Sequence, residues 1–181
     1  MALPLSFRKA DPTEAPLLAE LLLKVGLSKN PSEATMFVER ELLFGDYYYI
    51  AETIIENKTI PVGIISIRFH GMPRHGCIEL MHIGVDDTYR GNGIGTQLIE
   101  YMEKILPEEF ENWNTRLKEK AETLGDTSEL HFGTLRKIFL LTGSNSLPAH
   151  KLYEKCGYTR ETALIHHLHV DQDQVVYSKF F

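Results

Sequence analysis

Leu17, Leu18, Leu21, Leu22 and Val25 recur at the spacing of one helical face, and this stripe predicts a first helix with its apolar side turned to a core. Asp11-Pro12-Thr13-Glu14 supplies its start, with a cap, a proline in the first turn and an acid three residues after the cap. A short strand, Leu5 to Lys9, precedes it. Asn30-Pro31-Ser32-Glu33 repeats the start signal for a second helix that carries Met36, Phe37 and Phe44 and stops near Gly45. Tyr47 to Thr53 and Pro61 to His70 then read as antiparallel strands joined around Glu56-Asn57-Lys58, and Ile78 to Val85 as a central strand. The helical rhythm returns at Ile94, Leu98, Tyr101, Met102 and Ile105, and Pro107 is expected to end that helix. Leu135 to Thr142 is expected as a buried strand. Asn145 or Ser146 then caps a helix with Pro148 in its first turn and Gly157 closing it. Ala163 to Val170 and Val175 to Phe181 complete the pattern as a hairpin across Asp171-Gln172-Asp173-Gln174.

Pro107 to Thr134 is longer than an ordinary helix-to-strand connection, so it is expected as an insertion in a single domain spanning 1–181. Phe110, Trp113, Leu117, Ala121 and Leu124 share one helical face there, and the segment reads as an amphipathic helix. Its stripe either packs on the protein's own sheet or forms a lid or a homodimer contact, which would need the stripe exposed in the monomer.

Composition changes this picture little: 181 residues, 43% hydrophobic and 24% charged, suit one globular core. A net charge of -6 argues against a general nucleic-acid binder, whose affinity rests on an excess of Lys and Arg. Cys77 and Cys156 lack Cys-x-x-Cys spacing and read as reduced core thiols. No segment approaches the roughly 20 apolar residues of a membrane span, so the expectation is a soluble protein of the cytoplasm, with the nucleus left open as the alternative, and no membrane partner. His166, His167 and His169 alternate across a strand with no completing acid or thiol, and no metal is expected.

Chemistry concentrates between Ile83 and Thr96, where an apolar strand runs through Gly91, Gly93 and Gly95 into an amphipathic helix. Glycines let the backbone take positive φ and approach a ligand closely, while the N–H groups that open the helix have no intrahelical acceptor. With Arg90 beside them, these donors suit a pyrophosphate. A P-loop would need Gly-Lys-Ser/Thr, and the dinucleotide fingerprint would need glycine at 96, where this chain has Thr96. Arg90-Gly91-Asn92-Gly93-Ile94-Gly95 instead resembles the Arg/Gln-x-x-Gly-x-Gly/Ala signature of the GNAT superfamily of acetyl-CoA-dependent N-acetyltransferases. Ile83-Gly84-Val85-Asp86-Asp87 is similar to the strand end that precedes it, with Asp87 in place of a frequent proline. A second block, from Asn145 to Tyr158, is similar to Asn-x-x-Ala-x-x-Leu-Tyr-Glu-Lys-x-Gly-Phe. The family's Asn, however, falls on Ser146, with Asn145 one position earlier.

The resemblance implies a mixed α/β fold: a mostly antiparallel central sheet of six to seven strands with a splayed parallel pair, flanked by four to five helices. It implies acetyl-CoA as cosubstrate, held by Ile83, Gly84, Val85, the run Arg90, Gly91, Asn92, Gly93, Ile94, Gly95 and Thr96, and by Asn145 and Ser146. The Ile83 N–H would donate to the thioester oxygen. Tyr153 falls on the frequent general acid that protonates the leaving thiolate, against a reading as a plain core tyrosine. Glu79 falls where several members place a base, and alternation puts it on one face with Met81, Ile83 and Val85. An ion pair is the other reading of Glu79. His82, on the opposite face, reads as a packed or hydrogen-bonded histidine. The acceptor pocket would lie near Phe37, Phe44, Tyr47, His70, His75 and the terminal hairpin, with a small amine or amino acid as acceptor and a protein amino group as the alternative. A non-catalytic acyl-CoA sensor is the rival of another class. A Rossmann-type domain would need further strand–helix units where this chain ends in a hairpin.

Overall fold

The computed structural model describes residues 3–125 and 131–181, and the rest of the expected insertion, 126–130, lies outside the described residues. The elements are β1 (Leu5–Lys9), α1 (Ala15–Lys24), α2 (Pro31–Leu43), β2 (Tyr47–Ile55), β3 (Lys58–His70), β4 (Cys77–Val85), α3 (Ile94–Thr123), β5 (Lys137–Gly143), α4 (Leu147–Lys155), β6 (Thr159–His169) and β7 (Gln172–Phe180). The seven-stranded sheet has the order β1-β2-β3-β4-β5-β7-β6, mostly antiparallel with β4 and β5 as its parallel pair. This is the expected mixed α/β architecture. The chain divides into two compact units, one of Met1–Arg68 with Leu80–Tyr101 and one of Phe69–Glu79 with Met102–Phe181.

In the first unit the start signals act as expected. Asp11 and Glu14 form a capping box at a short 3-10 turn that leads into α1, and the Asn30 side chain accepts from the Glu33 N–H at 2.9 Å at the head of α2. Leu18, Leu21 and Leu22 of α1 pack with Ala34 and Val38 of α2 over Tyr48, Ile50 and Ile64. Met36 and Phe44 lie outside this core, at 62% and 67% exposure. β2 and β3 join through Glu56 and Asn57, both at positive φ, and the register slips between Ala51 and Glu52, where Pro61 stands opposite. A residue without an N–H is tolerated at such an irregularity. Leu98 at the start of α3 fits against Gly63, and Tyr101 stacks on Phe7 at 5.3 Å.

In the second unit two expectations change. α3 does not end at Pro107 but continues through it to Thr123, so the amphipathic segment is the far half of one helix. An internal proline costs about 3 kcal/mol. Leu106 and Phe110 on either side are 0% and 1% exposed, and burying each is worth about 1.5–3 kcal/mol, so packing outweighs the proline. Phe110 and Trp113 pack on Phe69, with the Trp113 ring stacked on it at 4.8 Å. Leu117 and Ala121 are half-buried and Leu124 is exposed. The terminal hairpin also turns earlier than expected, at Val170-Asp171, so Gln172, Asp173 and Gln174 belong to β7. The Asp173 carboxylate accepts from the His166 N–H at 3.1 Å, beside a register shift in β6, which ties those residues into the strand pair. Gly157, at φ +84°, closes α4 as expected.

Candidate active site

The glycine turn lies in the first unit and is built from β4 outward. Asp86 ends the strand, its N–H donating to Val62 O at 2.9 Å and its carboxylate accepting from the Thr88 N–H at 2.9 Å. Burial would raise the Asp86 carboxyl, but Lys24 at 2.8 Å and the Thr88 donors hold it below the ordinary range. Gly91 and Gly93 then stand at φ +80° and +75°, and α3 opens at Ile94. Adding a Cβ at either glycine would meet little, with nothing within 4 Å at Gly91 and only the end of Gln97 at 3.8 Å from Gly93. The need for glycine there is backbone conformation and an open approach to the N–H groups of Ile94, Gly95 and Thr96.

Two expected cradle side chains turn inward. Asn92 donates from Nδ2 to Tyr89 O at 3.0 Å, which braces the turn. Arg90 donates from Nε to Val85 O at 3.1 Å and from Nη2 to Val25 O at 3.4 Å, and pairs with Asp87 at 2.7 Å. Gly84 has a packing role that the motif hides, since a Cβ there would lie 2.4 Å from Val25 Cγ2.

Glu79, Tyr153, Asn145 and Ser146 fall in the second unit. Glu79 is half-buried with Oε2 3.6 Å from His70 Nδ1, so the expected ion-pair geometry is present beside the expected base. The His70 ring meets Phe139 edge-on at 5.2 Å. Tyr153 is 5% exposed, its ring packed among Tyr158 and Tyr177 at 6.1 and 5.9 Å. Burial pushes its hydroxyl well above the ordinary tyrosine range, with Cys156 adding to the rise. Among the described residues that hydroxyl makes no hydrogen bond. Ser146 caps α4 by position without a side-chain hydrogen bond, and the Asn145 side chain instead accepts from Gln172 Nε2. Cys77 and Cys156 are free, as expected, but half-buried rather than in the core. Among the described residues no three His, Cys, Asp or Glu side chains converge as metal ligands, and no helix is long and apolar enough to cross a membrane.

A buried polar network lies in the first unit, where His82 is the expected hydrogen-bonded histidine and Glu41 is a residue the sequence reading missed. Glu41 is 0% exposed, accepts from the Tyr48 hydroxyl and has Oε1 2.7 Å from His82 Nε2. Burial raises its carboxyl, but the His82 and Tyr48 hydrogen bonds outweigh that and hold it below the ordinary range. Nearby Asp46 accepts two hydrogen bonds from Arg68, at 2.7 and 2.6 Å, yet burial keeps its carboxyl raised. The signal for Glu41 was in the sequence: Ala34, Val38 and Glu41 continue one buried stripe, and an acid on such a stripe requires partners.

The family profile described as an acetyltransferase (GNAT) domain matches residues 45–160. A putative acetyltransferase of the GNAT family from Desulfovibrio desulfuricans is 17% identical at a TM-score of 0.64, covering 98% of this chain and 99% of that one. The NatC complex bound to Gag peptide and CoA contains a chain 17% identical at a TM-score of 0.67, with 99% of each covered. RimL, a ribosomal L7/L12 α-N-protein acetyltransferase in complex with CoA, is 15% identical at a TM-score of 0.66, covering 98% of this chain and 94% of that one. A search of curated proteins finds no match.

Proposed function

Because the chain belongs to the GNAT acetyltransferase family and is an acyltransferase, we propose that it moves the acetyl group of acetyl-CoA to a primary amine by direct attack in a ternary complex. The observation that carries this reading is the turn itself, with Gly91 and Gly93 at positive φ feeding the N-terminus of α3. There the backbone from Arg90 to Thr96 binds the pyrophosphate, Asn92 and Arg90 hold the turn in shape, and Ile83, Gly84 and Val85 carry the backbone groups that meet the pantetheine arm. The Ile83 N–H polarises the thioester carbonyl. Glu79 draws a proton from the ammonium through water, the amine nitrogen bonds to the acetyl carbon, and the carbon–sulfur bond breaks. Tyr153 gives its proton to the departing sulfur, and solvent takes the second proton lost by the amide nitrogen and returns one to Tyr153. Asn145 and Ser146 line the cofactor from the head of α4.

The acceptor is a small amine or amino acid, and a protein amino group is the alternative. Incubation with acetyl-CoA and a panel of amines, amino acids and short peptides, read by intact mass of the product and by CoA release, tests the reaction. An acetylated product is the expected result. Tight CoA binding with no product from any amine would leave an acyl-CoA sensor.

A further inference from the structure

The loop from β3 to β4 is held from three sides within the second unit. Gly76 O accepts from the Arg136 and Lys137 N–H groups at 2.8 and 3.0 Å, and the Gly133 N–H donates to Pro73 O at 3.4 Å. Asn114, buried on the far half of α3, donates from Nδ2 to Gly133 O at 2.9 Å. Just before the loop, Phe69 stacks on Trp113 with the planes 7° apart. The backbones run in contact: a Cβ on Gly76 would lie 2.2 Å from Thr134 O, and one on Gly133 would lie 3.0 Å from Arg74 O. Within the loop the Met72 N–H donates to His75 Nδ1 at 3.2 Å. Residues 131–136 and the far half of α3 thus strap residues 71–76 in place.

This strapped loop presents positive charge. Arg74 is exposed, and the Arg136 guanidinium lies across the loop with Nη2 3.3 Å from His75 O and 3.6 Å from Cys77 Sγ. Neither Arg74 nor Arg136 is paired with a carboxylate among the described residues, although the chain carries 25 acids against 19 Lys and Arg. Glu79 is the third residue of β4, which begins directly after the loop, and about 3.3 Å per residue places the end of the loop at Gly76 about 10 Å along the backbone from it.

We propose that the strapped loop selects the acceptor, favouring amines that carry a carboxylate read by Arg74 and Arg136 over otherwise identical amines that lack one. This rests on the acetyl-transfer reading with Glu79 as base. Fixing the loop in advance spares the ordering cost that a mobile loop would bring to binding, and a guanidinium matches a carboxylate in a bidentate geometry.

The test compares kcat/KM for amino acids with that for their amides, and for tripeptide amides with Asp or Asn as second residue. Wild type should prefer the carboxylate member of a pair by about twofold to fivefold, the scale of one part-exposed ion pair, and the preference should shrink with added salt. A preference among free amino acids alone, or among peptides alone, identifies the source of the carboxylate. Arg74→Gln should bring the ratio toward one and Arg74→Lys should restore part of it. Asn114→Ala, which changes no charge, should also lower the ratio, with CoA binding by calorimetry confirming that the variant is folded. Equal rates for both members of every pair, or a ratio untouched by Arg74→Gln, would overturn the inference while leaving acetyl transfer intact. Failure of every amine to consume acetyl-CoA would instead overturn the reaction on which it rests.

Discussion

At Tyr153 a buried ring and an unpartnered hydroxyl coexist, and each makes a separate demand. The ring, packed among Tyr158 and Tyr177, is retained in Tyr153→Phe, which removes only the proton donor. Turnover should fall by about 10²-fold, the low end for a general acid because a thiolate leaves readily, while KM for acetyl-CoA changes little. Burial holds the folded hydroxyl protonated above the ordinary tyrosine value of about 10, so Tyr153 should add no alkaline limb to the pH–rate profile below that value. Unchanged turnover under chemistry-limited conditions would reduce Tyr153 to a packing residue. Glu79 calls for a different readout, because its His70 neighbour gives it a structural occupation as well. Glu79→Gln keeps size and hydrogen bonding but removes basicity, so its activity should recover as pH rises toward the acceptor's own pKa. A variant with the wild-type profile and a lowered Tm would return Glu79 to the ion pair.

α3 shows where local pattern stops deciding structure. Its first half was legible from Ile94 to Ile105 because the apolar spacing is short-range, and the stop at Pro107 was the correct reading of the local penalty. What overrode it is the packing of Phe110 and Trp113 on Phe69, a partner some 40 residues earlier in the chain whose proximity no periodicity reports. Phe110→Ala should therefore cost about 3–5 kcal/mol by denaturant unfolding, and Leu124→Ala, on the exposed end of the same stripe, less than about 0.5 kcal/mol. Equal effects would mean that the far half of α3 is not held as described. α2 repeats the lesson with a polar group: the caps at Asn30 and Glu33 were readable, whereas Glu41 meeting His82 depends on a contact 41 residues apart. The folded Glu41 carboxyl is depressed, so its contribution to stability is present above the unfolded carboxylate value and is lost as pH falls through the folded one. Melting temperatures of wild type should consequently drop more steeply on acidification below about pH 4.5 than those of Glu41→Gln. Parallel curves would exclude that linkage.

For the molecule as a whole, ligand binding and stability are one measurement. A ligand that binds only the folded chain at 100 times its Kd adds about 2.7 kcal/mol, so CoA should raise Tm by several degrees. Gly93→Val should abolish the rise while the unliganded Tm falls only modestly, because the site around Gly93 is open but its φ of +75° suits no β-branched residue. A CoA-induced rise that survives in the variant would remove the cradle assignment. The cradle was legible because all of it lies in one continuous stretch from Ile83 to Thr96. The strap was not, because it joins residues 71–76 and 131–136 through backbone contacts, braced by the Asn114 side chain, and these leave no periodic side-chain pattern. They leave another trace. With Thr134 O 2.2 Å from where its Cβ would sit, Gly76 is held to glycine while the two segments touch, and a Cβ on Gly133, 3.0 Å from Arg74 O, would press them apart by a few tenths of an ångström. Among descendants of a common ancestor, lineages that shorten the helix after Pro107 should free Gly133 first, because Gly76 at φ +60° is favoured as glycine by its backbone as well, and lineages that keep the helix should retain the pair as a mark of the strap.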